Sequence, residues 1–429
     1  MRLGGRLSGA IDVIADIEAR RRPVADALKD WGLAHRFAGS GDRAAVGNIV
    51  YDALRKKLSH AFVMDSDTPL ALGYAVMLRQ WGMMAEALSA EFAGDRFAPE
   101  PLPGAMAAAS AERDLSAAPL NVQGDIPDWI VPSLAGSFGD RVLDEARALA
   151  ERPTLDLRAN TLKATRDKVL KALERSGGKP APIAPNGIRI PAGEGASRLP
   201  NVTAELSFQK GWFEVQDEGS QIVADLVAPR EGDQVLDYCA GGGGKTLAMA
   251  AAMGNKGQVH AFDTDRKRLA PIIERLKRAG TRNVQVHDSA KALAPLAGRF
   301  DTVLVDAPCT GTGTWRRRPD TKWRLTEKNL QERIDQQREA LDAASGFVRP
   351  GGTLAYVTCS ILPEENEEQI AGFLARHPDF AVLPAADDWP RRFGADAPRP
   401  HVSAGGLLTL TPALTGTDGF FFARLARRA

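Results

Sequence analysis

From about Phe208 onward the chain alternates strand-like and helix-like segments, and that alternation leaves few architectures open. Gln234–Cys239, Gln258–Asp263, Val284–His287, Phe300–Asp306 and Thr353–Thr358 are short, largely apolar runs rich in β-branched residues, and they read as strands. Between them, Gly244–Ala252, Arg266–Ala279 and Thr326–Val348 carry helical patterning. Units of this length imply an α/β fold, a mostly parallel sheet covered on both faces. Gly419–Leu425 reads as a closing strand, and no internal repeat is evident. In such sheets ligands bind beyond the carboxyl ends of the strands.

A chain of 429 residues exceeds one simple core, so further domains are expected in front of this one. Residues 8 to about 95 carry helical spacing, with Val46, Ile49, Val50, Ala53 and Leu54 on one face, and predict an all-helical domain over 1–98. Arg43, Arg55, Lys56 and Lys57 there could face a phosphate backbone, although a solvated helix face is the plainer reading. Pro99, Pro101 and Pro103 followed by an Ala/Ser-rich stretch read as a linker over 99–125. Residues 126–207 read as a small α/β module and 208–429 as the alternating domain. Fifty-five basic and 54 acidic side chains nearly cancel, so the total charge neither demands nor excludes a nucleic acid. The three cysteines, Cys239, Cys309 and Cys359, argue for a reducing compartment, and no metal-ligand spacing predicts a zinc site. No apolar run approaches a membrane span and Asp12, Asp16 and Glu18 interrupt the first apolar stretch, so the expectation is a cytoplasmic monomer.

The first chemistry-bearing motif runs from Asp237 through Cys239-Ala240-Gly241-Gly242-Gly243-Gly244-Lys245 to Thr246, after a strand and into a helix. Glycines there let backbone N–H groups reach a ligand that side chains would block. A Walker A loop would need glycine where Cys239 stands, and the dinucleotide fingerprint would need it at Thr246. The pattern that fits is the methyltransferase variant, an acidic residue followed by small residues, which cradles the methionine part of S-adenosylmethionine. Asp263 ends the second strand, where a carboxylate can accept ribose hydroxyls, and Asp288 follows the third, where it could meet the adenine amino group. Either aspartate alone is commonly a turn or cap residue. Their occurrence in order at successive strand ends gives the cofactor reading its weight.

Asp306-Ala307-Pro308-Cys309-Thr310-Gly311-Thr312-Gly313 leaves the fourth strand, and Thr358-Cys359-Ser360 ends the fifth. A lone thiol is ordinarily a buried structural cysteine. Two of them at the mouth of one cofactor cleft, in a chain with a single further cysteine, point to chemistry. Trp315-Arg316-Arg317-Arg318-Pro319-Asp320-Thr321-Lys322-Trp323 follows directly, interleaving aromatics with cations as phosphate contact and base stacking require.

These two cysteine motifs resemble the signature of the RNA cytosine-5 methyltransferases of the Fmu/Sun (RsmB-like) family. Glu214–Gln221, Pro319–Trp323 and Asp418–Arg424 are similar to further segments of that family, and the helical start resembles its NusB-like domain loosely. Where the family usually has Cys-Ala-Ala-Pro-Gly-Gly-Lys, this chain has Cys239-Ala240-Gly241-Gly242-Gly243-Gly244-Lys245, which loosens the loop but keeps its backbone donors. The resemblance implies a class I, Rossmann-like catalytic domain behind an RNA-binding α/β module, with S-adenosylmethionine as cofactor. It implies that Cys359 attacks carbon 6 of cytosine, that Cys309 assists release, and that Asp306 holds the cytosine edge. Arg316, Arg317, Arg318, Lys322 and Trp323 would then meet RNA, with ribosomal RNA the expected substrate and transfer RNA its rival. A DNA cytosine methyltransferase, whose nucleophile would be Cys309, and a non-catalytic RNA-binding assembly factor are the competing readings.

Overall fold

The computed structural model describes residues 1–429, which divide into two compact units. The first gathers Met1–Pro153 with Ala192–Leu199 and Thr314–Leu325. Its helices Leu3–Arg20, Val24–Ala34, Ser40–Arg55, Lys57–Met64, Pro69–Ala75 and Ala85–Phe92 bury the apolar faces that the spacing predicts, around Leu7, Ile14, Val46, Ile49, Val50, Met64 and Leu72. Residues 99–125 are not the linker their prolines suggested. The alanines after Pro103 are strong helix formers and make the helix Gly104–Glu112. Arg113 donates to the Phe62 carbonyl at 2.9 Å, and buried Asp125 accepts the Leu58 and Ser59 N–H groups at 2.8 and 2.9 Å, so the segment is packed. Residues 126–153 form helices that pack with this first unit.

In the second unit a small sheet forms from β1 (Leu155–Ala159), β2 (Lys179–Pro180), β3 (Gly187–Ile190) and β4 (Phe213–Val215), in the order β2-β3-β1-β4 and antiparallel throughout. Its edge strand β4 lies beyond residue 207, where the module was expected to end. The larger sheet contains β5 (Gln234–Asp237), β6 (Gln258–Phe262), β7 (Val284–His287), β8 (Phe300–Asp306) and β9 (Val348–Thr358), then β10 (Phe380–Val382), β11 (His401–Val402), β12 (Leu408–Leu410) and β13 (Phe420–Arg427). Strands β9-β8-β5-β6-β7 run parallel, and β13 pairs antiparallel with β9. The chain steps outward from β5 to β6 and β7, then returns to place β8 on the other side. That reversal at β5 is the switch point where such sheets open a crevice. Val235, Leu304, Ala355 and Phe422 lie in one core layer and Leu236, Val303, Tyr356 and Phe421 in the other, the period-2 alternation of a sheet buried on both faces. The helix expected over Arg266–Ala279 breaks into Arg266–Leu269 and Ile272–Ala279, because Pro271 cannot donate to the preceding turn. No helix is long and apolar enough to cross a membrane.

Candidate active site

Parallel pairing sets Asp306 at the end of β8 beside Val357 of β9, so the two cysteine loops leave the sheet side by side. The Gly313 N–H then donates to the Cys359 carbonyl at 3.0 Å and closes the first loop over the second. Gly313 is required there. A Cβ on it would lie 2.3 Å from the carbonyl oxygen of Gly419, at the entrance to β13. The result is a Cys309 Sγ to Cys359 Sγ separation of 3.3 Å, with both thiols free and half-buried.

The floor of the Cys309 loop is a carboxylate. Glu365 is fully buried and accepts the Thr310 N–H at 2.8 Å, the Thr310 hydroxyl, and Gln337 Nε2 at 2.8 Å. Gln337 also donates to the Pro308 carbonyl at 2.9 Å, so one buried pair holds the loop on both sides of Cys309. The Cys359 turn is held by Thr358 Oγ1 donating to Asn366 Oδ1 at 2.6 Å and by Thr312 and Ser360 hydroxyls 2.9 Å apart. The hydrogen bond to Cys359, burial, and the charges of Cys359 and Glu365 push the Cys309 thiol well above its ordinary range. Cys309 therefore keeps its proton and can offer it to the Cys359 sulfur.

Asp306 has a cation of its own. Lys245, from the glycine loop, is buried and places Nζ 2.6 Å from Asp306 Oδ2 and 5.3 Å from the centre of the Phe420 ring. A lysine expected to serve the cofactor loop thus orients the carboxylate beside the cysteines.

The glycine loop folds as a bare backbone cradle. Gly243 sits at φ 80°, and a Cβ on it would lie 2.5 Å from Ile272. Only glycine fits there, and it starts the helix Gly244–Ala252. Asp237 is fully buried beneath; its Oδ2 accepts the Thr246 hydroxyl at 2.6 Å and its Oδ1 has no partner. Burial lifts its carboxyl to about 7, opposed by the Thr246 bond. Asp263 is folded against the loop, accepting the Gly241 N–H through Oδ2 and the Asp265 N–H through Oδ1, both at 2.8 Å. Each oxygen retains a lone pair for a ribose hydroxyl. Asp288 is largely exposed, 3.9 Å from Arg266. Burial and the surrounding carboxylates raise the Cys239 thiol, so it is a neutral wall of the cradle. Side-chain-free backbone, an orphaned buried acceptor and successive strand-end aspartates fit a cationic adenosine cofactor.

Residues 224–426 match the family model for the 16S rRNA methyltransferase RsmB/F, and residues 126–193 match its ferredoxin-like domain. The ribosomal RNA small subunit methyltransferase B of Salmonella typhi is 35% identical over 306 residues, covering 70% of this chain and 66% of that protein. Its counterpart in Cronobacter sakazakii is 38% identical over 307 residues with the same coverage. This chain belongs to the RsmB/F methyltransferase family. It spans about two thirds of the length of these curated relatives. Among solved structures, that of PH0851 superposes with a TM-score of 0.73 at 26% identity, covering 99% of this chain and 100% of that one. A methyltransferase homologue from Pyrococcus horikoshii gives 0.59 at 28% identity, covering 72% and 97%.

Within this family member the segment after the Cys309 motif departs from expectation. Trp315 is fully buried and Trp323 packs on the helical core, its indole donating to the Leu54 carbonyl at 2.7 Å. Lys322 is buried and donates to the Arg55 carbonyl at 3.0 Å, and burial lowers its ammonium to about 8. Arg316 is buried as well, its carbonyl accepting Arg55 Nε at 2.7 Å. Arg316, Lys322 and Trp323 are therefore structural residues as placed, because Trp323 draws the segment onto the helical core. Arg317 is half-buried, and Arg318 is the exposed cation of the set. Sequence reasoning missed the roles of Glu365, Gln337 and Thr310. The one available signal was the acidic run Glu364-Glu365-Asn366 behind Cys359, too polar for the packed interior that follows a buried strand.

Proposed function

We propose that this chain is an S-adenosylmethionine-dependent RNA cytosine-5 methyltransferase acting on 16S ribosomal RNA through a covalent cysteine–cytosine intermediate. The observation that carries the reading is the 3.3 Å approach of Cys309 to Cys359 beside an Asp306 oriented by Lys245. Bound in the glycine cradle, S-adenosylmethionine supplies an electrophilic methyl group. Cys359 adds as thiolate to carbon 6, which turns the unreactive carbon 5 into an enamine carbon that takes the methyl. Asp306, tied to Lys245 through one oxygen, uses the other to hold the cytosine edge and the proton its ring nitrogen gains. The carbon 5 proton is then lost to water, its electron pair re-forms the 5,6 double bond as the carbon–sulfur bond breaks, and the Cys309 thiol protonates the departing Cys359 sulfur. The base must be unpaired or flipped out to reach this site. The helical start as a NusB-like domain, the small sheet as an RNA-contacting module, and a cytoplasmic monomer belong to the same proposal. Two relatives at 35% and 38% identity that are named for the small-subunit ribosomal RNA favour that substrate over transfer RNA.

The test is transfer of a tritiated methyl group to ribosomal RNA, transfer RNA and DNA, with bisulfite mapping of the product. Cys359→Ala is expected to abolish both methylation and covalent capture of RNA, whereas Cys309→Ala accumulates a denaturant-resistant adduct. An adduct that survives loss of Cys359 but not of Cys309 reverses the roles, and transfer confined to DNA rejects the reading.

A further inference from the structure

Four consecutive glycines, Gly241 to Gly244, give the cofactor loop the most backbone freedom a sequence can supply. Gly241 and Gly243 use that freedom, taking left-handed backbone at φ 49° and 80°. Gly242 does not, and its N–H donates to no protein group. Its backbone would therefore accept a side chain. What such a side chain would meet is a guanidinium, because a Cβ on Gly242 would lie 3.3 Å from Arg275 Nη1.

Arg275 stands on the helix Ile272–Ala279 and donates from Nη1 to the Gly242 carbonyl at 2.6 Å. Its Nε and Nη2 are held by Glu214 Oε2 at 3.2 and 3.0 Å. Glu214 is buried in β4 of the small sheet, and Arg278 already answers its charge, with Nη2 2.5 and 2.7 Å from the two oxygens. Arg275 is thus not needed to neutralise Glu214. It uses the carboxylate as an anchor and reaches the loop with the rest of its planar fork, which fixes both contacts in one geometry. The other restraints nearby are the Gly241 N–H on Asp263 Oδ2 at 2.8 Å and the Gly243 N–H on the Ala240 carbonyl at 2.9 Å. Turning over the peptide between Gly242 and Gly243 meets little steric resistance, since neither residue has a Cβ. The turn would break the Arg275 bond and the Gly243–Ala240 bond together, and Arg275 opposes it from outside the loop.

We propose that Arg275, anchored by Glu214, is a positioning residue for the cofactor: it holds the Gly242 carbonyl and keeps the four-glycine loop in the shape that receives S-adenosylmethionine. The assignment rests on the glycine loop as the cofactor cradle, and its test does not depend on which RNA is methylated. Amide hydrogen exchange of the peptide spanning Ala240 to Lys245 is measured on full-length, cofactor-free protein, and S-adenosylmethionine affinity is measured by titration calorimetry. Arg275→Ala leaves Glu214 paired with Arg278, so the fold is expected to survive, with an unchanged urea midpoint as the check. The variant is expected to exchange faster across the loop and to bind S-adenosylmethionine about tenfold more weakly, as for one lost hydrogen bond to a charged group. Adding Gly242→Pro, at the position where the related motif carries proline, is expected to recover most of both losses. The ring fixes φ without a strut, and removal of the arginine clears its space. Unchanged loop exchange in Arg275→Ala overturns the assignment. An affinity loss that Gly242→Pro leaves in place also overturns it, because Arg275 then serves the ligand or the fold directly. Recovered affinity in a protein that methylates no RNA keeps the strut and rejects the proposed substrate.

Discussion

Cys309 and Cys359 carry the same side chain in different surroundings. Glu365 sits under the Cys309 loop as a buried carboxyl that burial pushes above its ordinary range, while the loop's own N–H and hydroxyl tie it down. Replacing Glu365 by Gln keeps the shape and removes the charge. The pH profile of Cys309 alkylation, followed by mass spectrometry of its peptide, is expected to move to lower pH. An unmoved profile means that Glu365 only props the loop. Asp237 makes a second prediction at this scale. Its folded carboxyl titrates at about 7 against 3.8 in the unfolded chain, so its contribution to stability is complete below pH 3.8 and lost as pH rises through about 7. Between those limits the cofactor-free protein should lose a few kcal/mol (about 1.4 kcal/mol per pKa unit) that Asp237→Asn does not lose. Urea unfolding of both proteins at the two pH values measures the difference.

At the scale of elements, the segment Thr314–Leu325 shows burial overriding charge. Trp315 is fully buried and Trp323 packs on the helical core, and Arg316 and Lys322 go in with them: the Arg316 carbonyl accepts from the Arg55 side chain, and Lys322 donates to the Arg55 carbonyl. Trp315→Ala should cost about 3–5 kcal/mol of stability, read by urea unfolding, as expected for a fully buried aromatic. Arg318→Ala should leave stability unchanged but weaken RNA binding severalfold and lower its salt dependence by about one ion. If Lys322→Ala produced the Arg318 result instead, the buried assignment of Lys322 would be wrong. The loop on the other side of Cys309 depends on a contact between glycines. Gly313→Ala places a methyl against the Gly419 carbonyl, so the Cys309 loop must shift, and covalent capture of RNA by the Cys309→Ala background should fall.

For the whole molecule, the helical unit is assembled from stretches far apart in the chain. Arg152 pairs with buried Asp52 and donates to the Gly193 carbonyl at 2.7 Å, and Asn48 holds the Ser197 carbonyl at 2.9 Å. Residues 192–199 and 314–325 thus have their partners within the first 153 residues. A chain beginning at Thr154 leaves Trp323 without its core and Lys322 without the Arg55 carbonyl, and it should bind hydrophobic dye and aggregate although Asp306, Cys309 and Cys359 are all present. Light scattering beside the full-length protein checks this.

The patterns that rest on local physics were legible without coordinates. The β-branched runs ending in Asp237, Asp306 and Thr358, the glycines between Ala240 and Lys245, and the two cysteine motifs specify a parallel sheet and a cofactor cradle, because strand period and backbone freedom are properties of neighbouring residues. What required tertiary structure was every partnership between distant side chains. Lys245 reads as a cofactor residue until the crevice at β5 and β8 sets it against Asp306. The basic stretch after Trp315 reads as an RNA contact until a core some 260 residues earlier claims its aromatics. A thiol reads as any thiol until β8 and β9, in parallel register, bring Cys309 and Cys359 to 3.3 Å over a buried glutamate. Spacing in the chain encodes which faces are apolar. Which buried charge answers which is decided by the fold, because desolvation and Coulomb attraction act through space and not along the sequence.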